Sequence, residues 1–128
     1  MTDSERDMLA YVQLAVLSQQ KKQQAGRDRF LVLAAVAACR EGWPAVAARC
    51  RALILEHNRS HLIGHFKTVA EALRSDDFQP FVKQLDRFCG SERAEFLLSE
   101  LNMDPTQAAR SSNTSAGDYA LQLLSADK

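Results

Sequence analysis

Two hexapeptides 34 residues apart place the strongest constraint on this chain: Ala35-Val36-Ala37-Ala38-Cys39-Arg40 is echoed by Val69-Ala70-Glu71-Ala72-Leu73-Arg74. Each runs into a polar turn, then an aromatic residue (Trp43, Phe78), then a proline (Pro44, Pro80) of the kind that opens a helix. A repeat of that length suits stacked helical hairpins, which bury their apolar faces against neighbours rather than around a catalytic pocket.

Composition narrows the function classes. A chain of 128 residues, 46% hydrophobic and 25% charged, makes one globular domain that buries roughly two thirds of its unfolded surface. Sixteen Lys and Arg balance sixteen Asp and Glu, so no net field draws the chain to nucleic acid or to an anionic membrane. The balance is uneven along the chain: residues 1–60 hold nine basic and six acidic side chains, residues 61–128 seven and ten. Three cysteines without paired spacing, each in an apolar stretch, read as free thiols in a reducing cytoplasm. Met1 to Asp7 is polar and acidic, unlike a secretory leader, and the longest wholly apolar run, Phe30 to Cys39, is too short to span a bilayer.

Helical punctuation is clear, and no alternating strand pattern occurs, so the fold class is all-α with about six helices. Thr2 with Glu5 forms a capping box ahead of an apolar face from Met8 to Val16, which ends in the polar run Gln19 to Gln24. Gly26 to Asp28 restarts the chain, and Phe30 to Cys39, apolar on every side, is the expected centre of the core. Gly42 suits the left-handed end of that helix and Pro44 the start of the third, which runs to His57. Asn58 stops it. Ser60 caps a fourth helix from Leu62 to Leu73, Asp76 or Asp77 a fifth with Phe78, Phe81, Val82, Leu85 and Phe88 on one face, and Ser91 a sixth that Asn102 and Pro105 end. Residues 1–105 are thus one helical domain. Residues 106–128 are expected to be a flexible tail, in which Asp118 to Leu124 either docks back as a short helix or serves a partner in trans.

Residues 29–88 resemble two units of a tetratricopeptide-type repeat, in their period, the tight turn at Gly42 and the small residues Ala35 and Ala47. The resemblance implies a short superhelical stack whose inner helices hold an extended peptide or a partner helix; a compact bundle of antiparallel hairpins is the other architecture open to this sequence. On the repeat reading, Arg40 and Arg74 lie side by side on consecutive inner helices, where two guanidinium groups can take one carboxylate. As last-turn cations, the two arginines would only complement helix C-termini. Trp43 is either a recognition residue of that face or a turn aromatic folded over its own hairpin.

A second reading starts from the histidines. His57, His61 and His65 recur at four-residue spacing, which on a continuous helix would bring His61 and His65 towards one metal ion. Two ligands do not complete a zinc site, and no H-E-x-x-H or C-x-x-C accompanies them. Cys39 and Cys50 are symmetric about the Gly42 to Pro44 turn and could face each other across the hairpin, whereas Cys50 and His57 are too far apart on one helix to form a thiolate pair. The sequence thus points to a cytoplasmic, non-enzymatic module that binds another protein, a peptide or a second copy of itself, with no cofactor, metal, nucleic acid or membrane. A small metal- or thiol-dependent activity centred on His61 and His65 is the alternative.

Overall fold

Thr2 and Glu5 open the chain reciprocally. The Glu5 N–H donates to Thr2 Oγ1 at 3.1 Å and the Thr2 N–H donates to the Glu5 carboxylate at 3.2 Å, which satisfies two of the donors a helix start leaves orphaned. In this computed structural model, which describes residues 2–125, the capping box begins α1 (Asp3–Gln20). There follow α2 (Gln24–Glu41), α3 (Pro44–His57), a 3-10 turn (Leu62–His65), α4 (Val69–Leu73), α5 (Gln79–Phe88), α6 (Ser91–Ser99), α7 (Gln107–Ser111) and α8 (Ala116–Ser125). Among the described residues there is no strand, and no helix is long and apolar enough to cross a membrane.

The core is built on the α1–α2 hairpin. α2 is covered by α1, α3, α4 and α5, as its all-apolar surface requires, and α1 is covered by α2, α6 and α8. Met8 to Ala15 are consecutively buried, so α1 shares the centre expected of the second helix alone. The exception to its apolar run, Gln13, is buried with its side-chain amide donating to the Pro105 carbonyl at 3.0 Å.

Four helices end in the same way. Gly42 (φ 80°), Lys22 (φ 59°), Asn102 (φ 58°) and Asn113 (φ 55°) are left-handed. At each, the next residue's N–H reaches back five residues, as from Trp43 to the Ala38 carbonyl (2.8 Å) and from Gln23 to the Ser18 carbonyl (2.8 Å), closing a Schellman turn. Gly42 and Asn102 act as their residue types imply. Lys22 does so against its type, and the chain reverses early enough for α2 to start at Gln24, placing Gly26 to Asp28 inside a helix rather than in a restart.

Two other expectations change. The fourth helix is divided: His61 caps the 3-10 turn, Phe66 is extended (φ −120°, ψ 145°), and Thr68 caps α4 by accepting from the Glu71 N–H at 3.1 Å. A side-chain cap inside the segment and Gly64 before it favour two short elements over one helix. Residues 107–111 form α7 in place of the expected flexible stretch, and of the two alternatives for Asp118 to Leu124 the docked helix is the one seen; positions 126–128 lie outside the described residues. The Asp104 carboxylate accepts from both the N–H and the hydroxyl of Thr106 at 2.8 Å, and Thr106 and Ala109 are buried. α8 then docks on α1 and α3 through Ala116, Ala120 and Leu124. Small residues let α8 approach closely, and Leu124 anchors its last turn.

Candidate functional site

The first turns of α3 carry only small side chains towards α4. Pro44, Ala47 and Ala48 face Val69 and Ala70 across a gap that no large residue fills, and Cys39, in the last turn of α2, lies at its base. The result is an apolar groove of about 330 Å³ between α3 and α4. Ala48 and Ala70 are exposed; Ala47 and Val69 form the buried floor.

Two cations border it, Arg51 from α3 and Lys67 from the segment leading into α4. Arg51 Nε and Nη2 both donate to the Phe66 carbonyl, at 3.2 and 2.7 Å. That fork pins the extended residue that splits the fourth helix, and it fixes the guanidinium at the groove edge at a lower entropic cost than a free side chain would carry. Among the described residues, the ion pairs are made by Arg6 with Glu95 and Asp104, by Arg27 with Asp28 and by Arg110 with Asp104. Neither Arg51 nor Lys67 takes part in one. The groove therefore offers an apolar slot with uncompensated positive charge at its mouth.

The thiols nearby stay protonated. Burial pushes the Cys39 thiol above its ordinary range and Cys50, wholly buried behind it, up to about 12; both are free thiols. A thiol, not a thiolate, is a poor nucleophile and a poor metal ligand.

The sequence-predicted residues fall elsewhere. Arg40 and Arg74 are both exposed, Arg40 in the last turn of α2 and Arg74 directly after α4. Arg40 lines a shallow groove with Leu73, Gln79 and Val82, and Arg74 is not among its walls. Trp43 is half-buried and committed within the fold: its Nε1–H donates to the Glu5 carboxylate at 3.0 Å. Its ring lies so close over Gly117 that a Cβ there would enter the indole. Glu5 thus serves two partners, the α1 cap and the Trp43 indole.

His61 Nδ1 accepts from the Ile63 N–H at 3.1 Å and its ring packs edge-on against Phe81 at 5.6 Å. Burial lowers its pKa, with Asp28 acting weakly the other way. His65 ends the 3-10 turn. His61, as its cap, has a non-helical backbone (φ −58°, ψ 142°) and so shares no helical register with His65. The α-helical register that would pair His61 with His65 is absent, and among the described residues no group of three or more His, Cys, Asp or Glu is placed to hold a metal ion. No family model, curated protein or solved structure matches this chain.

Proposed function

We propose that this protein is a non-catalytic interaction module that receives a short segment of a partner protein in the α3–α4 groove. One observation carries the reading: an apolar slot flanked by two cations, Arg51 and Lys67, without carboxylate partners among the described residues. An apolar side chain entering the slot supplies area, and an acidic residue beside it meets the cations, which sets orientation and encounter rate more than affinity. The volume is too small for a folded element and suits one or two side chains of a peptide or an amphipathic helix. This keeps the acidic partner chemistry that the resemblance implies for Arg40 and Arg74 and moves it to Arg51 and Lys67.

Selection of a random peptide library against the immobilised protein, followed by anisotropy titration of the selected peptides, tests it. Sequences with Asp or Glu next to a large apolar residue should be enriched. Ala48→Trp, at an exposed wall position, should fill the slot and abolish binding, and Lys67→Glu should weaken it about tenfold, the equivalent of about 1.4 kcal/mol. Selected peptides that bind equally well to Ala48→Trp would overturn the assignment.

A further inference from the structure

α6 packs on α1, whereas α3 and α4 pack on α2. Its outer surface is unusual. The three large apolar side chains exposed among the described residues are Phe88 (40%), Phe96 (56%) and Leu101 (49%), all within one stretch of α5, α6 and the residues after α6. Leu97 and Leu101, one helical turn apart, form one wall of a groove of about 360 Å³ against α1 and α2, with Leu14, Leu17 and Phe30 opposite. Phe88 extends that surface, because its ring packs on Phe30 at 5.8 Å, with the Arg29 guanidinium 5.0 Å above it.

Two charged side chains line this groove, with Arg29 of α2 beside it over Phe88. Lys21 follows α1, Glu100 follows α6, and both line the groove. Neither makes an ion pair among the described residues. A surface with an apolar centre, a cation on one side and an anion on the other is its own complement under a two-fold axis, since rotation brings the Lys21 of one copy to the Glu100 of the other. The chain has a formal net charge of zero at pH 7, so no overall repulsion opposes that approach.

We infer that this face is a homodimer interface, with the Leu97–Leu101 ridge of each copy seated in the groove of the other and Lys21 paired with Glu100 across the axis. The inference is independent of the peptide groove.

Sedimentation equilibrium across a concentration series tests it. The parent should weigh twice its 14.3 kDa chain mass at high concentration and dissociate on dilution. Leu101→Asp should leave a folded monomer by circular dichroism. Glu100→Lys and Lys21→Glu should each weaken the dimer about tenfold, and the two together should restore it, because the swap recreates the pair. A parent that stays monomeric at high concentration overturns the proposal, and so does a double swap no tighter than either single change. Peptide titration of the Leu101→Asp monomer separates this from the reading of the α3–α4 groove: peptide binding persists there if only the dimer is lost.

Discussion

The α1–α2 hairpin and the α4–α6 arm are both rich in apolar residues and use them differently. In the hairpin, Leu9, Val12, Leu31, Val32, Ala35 and Ala38 are at most 1% exposed. In the arm, Val69, Ala72, Phe78, Val82, Leu85, Cys89, Ala94 and Leu98 are buried, while Phe88, Phe96 and Leu101 are exposed. One region spends its apolar surface on holding the chain together. The other holds part of it outside the fold, where it is available to a second molecule.

The sharpest test of that contrast is Leu31→Ala. Leu31 is 1% exposed at the centre of α2, so its truncation leaves a cavity and should cost about 2 to 5 kcal/mol by denaturant titration, a large share of the roughly 5 to 15 that holds such a domain. A cost below about 1 kcal/mol would break the picture of an interlocked hairpin. Gly117→Ala comes next: the added methyl meets the Trp43 ring, and overpacking of this kind should cost about 1 to 3 kcal/mol. Unchanged thermal melting would show that α8 is loosely held rather than part of the core.

Lys22→Gly should act in the opposite direction. Lys22 has a left-handed backbone that glycine adopts without penalty, so the variant should gain about 1 kcal/mol of unfolding free energy by denaturant titration, and a loss would mean that the lysine stem contributes packing at the turn. Phe96→Ser, at a 56% exposed position, should change stability by no more than about 0.5 kcal/mol. A cost matching that of Leu31→Ala would remove the distinction between the regions.

The smallest effect concerns pH. Hydrogen bonds from the Thr106 backbone and hydroxyl hold the Asp104 carboxyl below its ordinary range. A folded pKa below the unfolded one contributes stability that is full above about pH 4 and is lost as pH falls through the folded value. Asp104→Asn should therefore flatten the acid limb of the stability curve by a fraction of a kcal/mol, since the side chain is 41% exposed and screened by solvent. A parallel acid limb in the two proteins would remove that carboxylate from the turn's stability.

Where one residue type has one dominant local use, the chain declares its structure. The capping box at Thr2 and Glu5, the left-handed Gly42, Pro44 at the start of α3 and Asn102 at the end of α6 are all legible in this way, and they fix the all-α class and most of the helix order. Lys22 is not legible, because lysine rarely turns left-handed and only the packing of α1 on α2 selects that conformation. The ordered segment after Pro105 escapes for a related reason. Its anchors are Gln13, distant in sequence, and alanines whose burial depends on what they meet. The α3–α4 groove depends on a relation between elements: Arg51 and Lys67 become neighbours only because Phe66 is extended, whereas Arg40 and Arg74 share a sequence period without sharing a pocket.

The seat of Trp43 has an optical consequence. The single indole of the chain gives its hydrogen bond to Glu5 in the first turn of α1 and packs its ring on Gly117 in the first turn of α8. Contacts between residues so far apart in the chain form late and slowly compared with those inside a hairpin. Intrinsic emission from this one residue therefore registers the arrival of both outer helices, and a stopped-flow trace at a single wavelength, without any introduced dye, times the closing of the bundle separately from the growth of helix seen in the far ultraviolet.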